Sequence, residues 1–449
     1  MTLQEAWQWL EQFTNLEKTP SATMRTWRLD RMHALLELRD HPEACALGLH
    51  VAGSKGKGST AAFLASILTQ GGWQTGLYTS PHVTDWRERI TLNGELFRPG
   101  AYLEAVEQLK QFWDALPQAS RRQFVSAWGG EPTTFEWLTL AAFELFRLEG
   151  IEARVLETGL GGRLDATNAQ VPTASVITLI EREHVEILGD TLELIAGEKA
   201  GIIKPGVPVF VAPQGPEAMG VFLRKAKETG SRLYSFDREI KKLELGLERN
   251  GTRVQVEFGD GELLDAQLPV LGLAQGTNAA FAALVVKTLV EEGQLKLKNN
   301  LPLAQVLRLG LERVKLTGRM QVLCRDPWVV LDGAHTAVSI ELLARSWQEL
   351  FGGGGTLVFG AFSGKDIGPM AAALAPFFPK VVVTKPSSFR PSDPEAMAQA
   401  FRASPHAPST LEIAQSPSTA LQWALGQNNG GPILVCGSFY LVGEILSAF

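Results

Sequence analysis

Short, nearly continuous apolar segments alternate along the chain with longer segments in which apolar positions recur every three or four residues. Apolar runs that end in Gly or a polar residue, as in ALGLHVAG, are typical of strands buried on both faces of a parallel sheet. The segment that follows, TAAFLASILTQGG, predicts a helix that ends at its paired glycines. The strand pattern recurs in ARVLETGLGG, ASVITLI, VPVFVAP, WVVLDGAH, GTLVFGAF, KVVVTKP and GPILVCGS. This alternation predicts an α/β fold with parallel sheets covered by helices.

The pattern changes between about residues 232 and 270. Apolar and polar residues alternate singly there, and Asn250-Gly251 and Gly259-Asp260-Gly261 are turn signals, so we expect antiparallel hairpins. We interpret this stretch as a β-rich appendage of the first of two domains. The segment VLRLGLERVKLTGRMQV then predicts a helix leading into a new strand. We place the domain boundary near Lys315, which divides the chain into residues 1–314 and 315–449.

Charge and composition exclude several classes of protein. The 42 basic and 48 acidic residues give a net charge of −6 without a basic stripe, so we expect no nucleic acid partner. The three cysteines lie far apart and fit neither a disulfide framework nor a zinc site. No uninterrupted apolar run approaches the roughly 20 residues that span a bilayer, and the charged, amphipathic start is unlike a secretory signal. We therefore expect a cytoplasmic protein with no membrane partner.

The segment AGSKGKGST is typical of a phosphate-binding loop. A strand, a Gly-rich turn and a helix N-terminus place backbone N–H groups around an anion, and a lysine adds positive charge. The usual loop has Ser or Thr directly after Gly-Lys, whereas here one glycine intervenes. A Gly-rich turn with an exposed lysine is the alternative interpretation. The residues predicted to bind nucleotide phosphate are Gly53, Ser54, Gly56, Lys57, Gly58, Ser59 and Thr60.

Polar residues follow several other predicted strands. The turn Thr79-Ser80-Pro81-His82 offers hydroxyls to a metal, and Glu157 leaves a strand beside a Gly loop, as carboxylates that hold Mg²⁺ do. His184 follows another strand, and Lys199 lies in a predicted helix. Taken singly, these residues are also explained by an ordinary Ser-Pro turn, a capping acid, a surface histidine and a solvated lysine.

The strands of the second half end in the same way. Asp332 and His335 follow WVVL, Ser438 follows GPILVCG, and Arg319 lies in LTGRMQV. Ligands of parallel sheets bind at the carboxyl ends of the strands. Polar strand ends in both halves therefore predict a site between the two domains.

In their order along the chain, these motifs resemble those of the folylpolyglutamate synthase and dihydrofolate synthase family, which belongs to the Mur ligase superfamily of ATP-dependent amide-forming ligases. The segments that carry the resemblance are RLDRMHALLELRDHP, AGSKGKGST, GLYTSPHVTDWRERI, TTFEW, LETGLGGRLDATN, EKAGIIKPG, LDGAH and GSFYLVGE. They cover nearly the whole chain. The resemblance implies an N-terminal ATP-binding domain with a P-loop ATPase-type parallel sheet. It also implies a smaller, Rossmann-like, C-terminal glutamate ligase domain.

The resemblance implies roles for individual residues. The implied catalytic residues are Lys57, His184, Lys199 and His335. The implied metal-associated residues are Ser59, Ser80, Glu157, His184 and, if it is carbamylated as in the superfamily, Lys199. The implied ATP contacts besides the phosphate loop are Asn278, Arg319 and Asp332. The implied substrate-binding residues are Ser80, Pro81 and His82, the pterin contacts Thr133, Phe135 and Asp165, and Ser438, which with His335 falls near the incoming glutamate.

The implied reaction joins L-glutamate to the carboxylate of dihydropteroate or tetrahydrofolate. ATP phosphorylates that carboxylate, the glutamate amine attacks the acyl phosphate, and ADP and phosphate are released. ATP and Mg²⁺ are the implied cofactors, a monovalent cation such as K⁺ is left open, and we expect a monomer. Closure of the two domains is expected to assemble the site and to keep water from the acyl phosphate.

Several positions depart from the family pattern. Ser54-Lys55 replaces Thr-Asn, Glu183 replaces Asp, Ala274 replaces His and Thr336 replaces Asn. These differences leave open which amino acid is ligated and which of the two family activities the protein has. The alternatives are a Mur-type relative with a different acid or amino acid and a nucleotide-binding module without catalysis.

Overall fold

The structure is a computed structural model that describes residues 1–16, 28–386, 390–427 and 430–449. The described residues form an eight-stranded, a three-stranded and a six-stranded β-sheet. The strands of the first sheet are β1 (Leu47–Ala52), β2 (Thr75–Tyr78), β3 (Ile90–Leu92), β4 (Glu95–Leu96), β5 (Ala153–Glu157), β6 (Ala174–Ile177), β7 (Val209–Val211) and β8 (Leu233–Ser235). Their order is β4-β3-β2-β5-β1-β6-β7-β8. β3 pairs antiparallel with both β2 and β4, and the other neighbouring strands pair parallel.

Helices cover both faces of this sheet. Alternate residues of β1 and β5, such as Leu49 and Val155, pack into one core with the helices α3 (Lys57–Gln70), α11 (Leu273–Glu291) and α12 (Leu303–Glu312). The other face lies under α1 (Leu3–Glu11), α2 (Leu29–Leu38), α4 (Pro99–Ala115), α5 (Gln118–Trp128), α6 (Thr134–Leu148), α7 (Val185–Leu188), α8 (Leu192–Ala200) and α9 (Pro216–Thr229). The predicted two-sided covering is confirmed.

The alternating stretch near residue 250 forms the second sheet, as predicted. After the short helix α10 (Phe236–Glu239), β9 (Ile240–Glu248), β10 (Gly251–Phe258) and β11 (Leu263–Leu268) pair antiparallel. Their apolar face, which includes Val254 and Val256, shares a core with Phe281 of α11. By length and composition α11 would be able to cross a membrane, but most of its residues are buried in this core.

The third sheet contains the strands predicted in the second half. They are β12 (Gln321–Arg325), β13 (Trp328–Leu331), β14 (Thr356–Phe359), β15 (Lys380–Thr384), β16 (Thr410–Ala414) and β17 (Ile433–Cys436), in the order β12-β13-β17-β14-β15-β16. β12 is antiparallel and the others are parallel. The helices packed on it are α13 (Ala337–Phe351), α14 (Ile367–Leu374), α15 (Pro394–Ala403), α16 (Pro417–Gly426) and α17 (Phe439–Ala448). A domain boundary near Lys315 stays a prediction.

Candidate active site

The predicted site residues of the first sheet lie at the carboxyl ends of neighbouring strands. In the register of β1 and β5, Val51 pairs with Glu157, and Ala52 pairs with Ile177 of β6. The phosphate loop, Glu157 and the segment after β6 therefore leave the sheet side by side. This edge is where parallel sheets bind ligands.

Glycine is required by the shape of the phosphate loop. Gly53 and Gly56 have φ angles of 151° and 84°. A Cβ on Gly53 would lie 1.9 Å from Thr178 Oγ1, and one on Gly56 would lie 2.5 Å from Asn278 Oδ1. The loop is thus wedged between β6 and α11, and α3 begins at Lys57 with its first N–H groups free of helical partners. Asn278, a predicted ATP contact, touches the loop.

Glu157 lies against this loop. Its Oε2 accepts a hydrogen bond from the Ser80 amide at 3.0 Å, and a Cβ on Gly58 would approach the same oxygen to 3.2 Å. Burial raises the pKa of the carboxyl group, and the charge of Lys57 opposes this rise. The glycine that interrupts the usual phosphate-loop pattern is therefore the residue that makes room for a carboxylate.

Lys199 of α8 is buried beneath the loop, which excludes the solvated lysine considered above. Its Nζ donates to the Gly53 carbonyl at 2.7 Å and to Glu183 Oε1 at 2.9 Å. Burial lowers the pKa of Lys199 to about 8, although Glu183 opposes the shift. Burial alone would raise the pKa of Glu183, but the charges of Lys57 and Lys199 hold it at about 2. Carbamylation of Lys199 stays a prediction.

His184 lies next to Glu183 at the start of α7. Its backbone is in the left-handed region, with φ 47°, and its side chain is 51% exposed. His184 is thus accessible at the same edge as Lys199. Its predicted role toward metal is untested.

The residues predicted to bind the acceptor lie in the loop after β5, at the start of α6 and in the turn after β2. A Cβ on Gly159 would lie 2.6 Å from the Phe135 ring. Thr133 caps α6 through a reciprocal pair of hydrogen bonds with Glu136. Nδ1 of His82, in the turn that contains Ser80 and Pro81, accepts a hydrogen bond from Arg89 at 2.8 Å.

The hydrogen bonds of Asp165 go to its own loop, which the sequence did not indicate. Its carboxylate accepts hydrogen bonds from the amides of Gly159, Leu160 and Thr167 and from the Thr167 hydroxyl. Burial raises the pKa of the carboxyl group, and these hydrogen bonds oppose that rise. Direct contact of Asp165 with a substrate stays a prediction.

The third sheet contributes a second set of polar residues. Asp332 accepts hydrogen bonds from the amides of Met320 and Ala334 at 2.8 and 2.7 Å. Desolvation lowers the pKa of the Arg319 guanidinium, and the charges of Asp332 and of Glu157 in the first sheet oppose this shift. The negative charge of Glu157 thus acts on Arg319, and a site between the two domains stays a prediction.

His335 and Ser438 lie at neighbouring strand ends of the third sheet. His335 Nδ1 is 2.8 Å from the Gly333 carbonyl, and burial lowers the pKa of the imidazole to about 4. Ser438 and Thr336 are the N-caps of α17 and α13. Thr336 is one of the departures from the family pattern that left the ligated amino acid open. The structure shows that it also caps α13.

Sequence reasoning missed Phe439. The Arg319 guanidinium lies 4.2 Å from the centre of its ring, and the His335 ring lies 6.3 Å away, edge to face. A Cβ on Gly333 would lie 2.3 Å from the same ring. The sequence feature that could have identified it is an aromatic residue directly after the Gly-Ser that ends a predicted strand.

The sequence pattern of the Mur ligase middle domain matches residues 51–286, and that of the Mur ligase glutamate ligase domain matches residues 318–439. The chain is 35% identical over 324 residues to dihydrofolate synthase/folylpolyglutamate synthase of Bacillus subtilis, with 72% of either chain covered. It is 31% identical over 415 residues to folylpolyglutamate synthase of Lacticaseibacillus casei, with 92% of either chain covered.

Solved structures have the same fold. Mycobacterium tuberculosis folylpolyglutamate synthase complexed with ADP and AMPPCP superposes with a TM-score of 0.86 at 28% identity, covering 99% of this chain and 98% of that one. An FPGS–AMPPCP–folate complex superposes with a TM-score of 0.83 at 29% identity, covering 100% and 99%.

Proposed function

Since the chain belongs to the folylpolyglutamate synthase/dihydrofolate synthase family of Mur ligases, we propose that it joins L-glutamate to the carboxylate of a folate-type substrate at the expense of ATP. It is a ligase that forms C–N bonds, and ATP is its nucleotide. The observation that carries the proposal is the buried Glu157 carboxylate, held by the Ser80 amide against Gly58 of a phosphate loop.

The first half of the reaction activates a carboxylate. The acceptor carboxylate attacks the γ-phosphorus of ATP, ADP leaves, and an acyl phosphate forms. Lys57 and the free N–H groups of α3 offset the negative charge on the transferring phosphoryl group. Arg319 adds positive charge from the other sheet.

In the second half, the glutamate amine attacks the acyl carbon and phosphate leaves with the electron pair of the C–O bond. The nitrogen must also lose a proton. With Nδ1–H donated to the Gly333 carbonyl, neutral His335 offers the lone pair of Nε2 to the amine. Ser438 and Phe439 begin the helix beside it.

The residues at the loop fit a magnesium ion. Mg²⁺ prefers oxygen ligands, and Glu157, Ser59 and Ser80 offer a carboxylate and two hydroxyls at one edge of the sheet, with His184 nearby. Lys199 joins this set only if it is carbamylated. When bound, Mg²⁺ supplies positive charge to the phosphate oxygens of ATP.

The acceptor is proposed to bind on the side of Phe135, where the ring lies over the loop after Glu157. A flat aromatic face suits a pterin ring. Asp165 binds amides of this loop, Pro81 and His82 lie in the turn after β2, and Thr133 caps α6, the helix that carries Phe135. Dihydropteroate and tetrahydrofolate both carry this ring, so the choice between them is left to experiment.

A coupled ADP-release assay tests the function. The protein should release ADP only when ATP, glutamate and either dihydropteroate or tetrahydrofolate are all present. Lys57→Ala should lower the rate by about 100-fold or more, as removal of one charge-stabilising donor does. Lys110→Ala, whose side chain on α4 is 44% exposed, should leave it unchanged. Folded protein that releases no ADP with either acceptor would contradict the proposal.

Thr336 and Glu183 are the reason to run the same assay with other amino acids. Both lie beside proposed active-site residues, His335 and Lys199. A Mur-type relative with another substrate would release ADP with a different amino acid or acid. A nucleotide-binding module would bind ATP and release no ADP with any pair.

A further inference from the structure

A buried histidine of β1 lies just before the phosphate loop and takes no part in the chemistry above. His50 is fully buried, and burial lowers the pKa of its imidazole to about 3, so the ring is neutral. Its Nε2 lies 2.8 Å from the Thr167 hydroxyl, in the segment that follows the β5 loop. Its Nδ1 has no hydrogen-bond partner among the residues that the structure describes.

The direction of these hydrogen bonds follows from the single proton of the hydroxyl. Thr167 Oγ1 donates to Asp165 Oδ1 at 2.5 Å, because an ionised carboxylate only accepts. The hydroxyl oxygen must therefore accept from His50, which places the imidazole proton on Nε2. This tautomer also leaves a lone pair rather than an N–H group unpaired at Nδ1.

Asp165 in turn binds the loop that follows Glu157. Its Oδ2 accepts from the amides of Gly159 and Leu160 at 2.9 and 3.0 Å. His50, Thr167 and Asp165 are all at most 1% exposed. Each hydrogen bond that is lost in this line leaves a buried polar group unpaired, which is costly.

The loop of residues 158–165 contacts Phe135 at the proposed acceptor site and Lys199 beneath the phosphate loop. A Cβ on Gly159 would lie 2.6 Å from the Phe135 ring, and a Cβ on Gly162 would lie 3.0 Å from the Lys199 Cα. The line of hydrogen bonds thus runs from the strand that leads into the phosphate loop to the loop under the proposed acceptor site.

We propose that His50 and Thr167 are positioning residues, which hold Asp165 and through it the loop of residues 158–165 in the position that the acceptor requires. They contact neither ATP nor acceptor. Their loss impairs use of the acceptor and leaves nucleotide binding intact. The acceptor part of this inference rests on the proposed function.

Thr167→Val is the central test, because valine keeps the shape and removes the hydroxyl. We expect kcat/KM for the acceptor to fall by about 10- to 100-fold, while the Kd for AMPPCP, measured by calorimetry, stays within twofold. Thr167→Ser keeps the hydroxyl and should restore most of the loss. Adding His50→Leu to Thr167→Val should cost little more, because the two residues act in one line.

Thr91→Val is the matched control. Thr91 lies on β3 of the same sheet, and its buried hydroxyl has no hydrogen-bond partner within the described part of the chain. It should match the wild type in both constants. If Thr167→Val keeps its acceptor kcat/KM within twofold, or loses nucleotide and acceptor binding in step with its folded fraction, the inference is wrong.

Hydrogen exchange separates this inference from the proposed function, because it needs no turnover. In Thr167→Val, the amides of Gly159 and Leu160 should exchange at least tenfold faster than in the wild type, with β1 and α3 unchanged. Wild-type protein inactive with both acceptors would refute the proposed function alone. Unchanged exchange at Gly159 and Leu160 would refute the positioning role.

Discussion

At the scale of single residues, Gly58 explains the departure from the usual phosphate loop. A side chain between Lys57 and Ser59 would approach Glu157, whose carboxylate is held by the Ser80 amide. Gly58 is the second residue of α3, and glycine is a poorer helix former than alanine. The loop thus gives up helix stability to bring a carboxylate next to its lysine.

Gly58→Ala should therefore move stability and activity in opposite directions. The unfolding free energy should stay equal or rise by up to about 1 kcal/mol, while kcat falls about tenfold, since the Cβ displaces Glu157. Urea unfolding and ADP release measure the two effects. Gly197→Ala, in α8 and with its Cβ position clear of every residue that the structure describes, should keep wild-type kcat. Wild-type kcat in Gly58→Ala would contradict this account.

Glu183 predicts a pH dependence of stability. Its pKa falls from the ordinary 4.5 to about 2 in the folded protein, so the folded state binds fewer protons than the unfolded one between these values. The stabilisation is complete above pH 4.5 and is lost as the pH falls toward 2, by about 2 kcal/mol between pH 4.5 and 3.

Urea unfolding of the wild type and Glu183→Gln across this range measures that contribution. The variant should lack this part of the acid sensitivity, so the stability difference between the two proteins should shrink as the pH falls. Glu186→Gln, whose side chain is 65% exposed, should follow the wild type. A constant difference between the wild type and Glu183→Gln would contradict the assignment.

At the scale of elements, helix N-termini account for several predicted site residues, and two of these helices, α13 and α17, follow strands of the third sheet directly. Thr133, Thr336 and Ser438 each cap a helix with a side-chain oxygen. An N-cap at a strand end also lies where parallel sheets bind ligands. Thr336 replaces the asparagine of the family pattern, and asparagine is at least as good an N-cap as threonine.

Thr336 variants separate capping from substrate choice. Thr336→Ala should lower the unfolding free energy by about 1 kcal/mol, whereas Thr336→Asn should preserve it. If the position also faces the incoming amino acid, Thr336→Asn changes the KM for glutamate by threefold or more at unchanged stability. Equal stability of all three proteins would contradict the capping role.

At the scale of the whole molecule, the turn after β2 connects the first sheet to the third. It begins with Ser80, which binds Glu157, and continues to Val83, which packs against α17 of the third sheet. A Cβ on Gly443 of α17 would lie 2.1 Å from the Val83 carbonyl oxygen. The backbones of Gly443 and Val83 are in direct contact, so no flexible side chain can move to accommodate a Cβ at residue 443.

Gly443→Ala should separate α17 from this turn. We expect kcat/KM for the complete reaction to fall about tenfold or more, since groups from both sheets must meet, with AMPPCP affinity changed less. Gly426→Ala, at the end of α16 and with no described residue within 4 Å of its Cβ position, should behave as the wild type. Equal kcat/KM for the two variants would contradict a role for this contact.

The sequence by itself determined the parallel strands, the phosphate loop and the hairpins of the second sheet, because period and turn chemistry are local properties of the chain. It also identified most residues at the strand ends. Only the tertiary structure decided which partner each polar group has. It placed Glu157 against Gly58, paired Lys199 with Gly53 and Glu183, and turned Asp165 inward onto its own loop. Such partners come from segments far apart in sequence, and only packing of the whole chain brings them together.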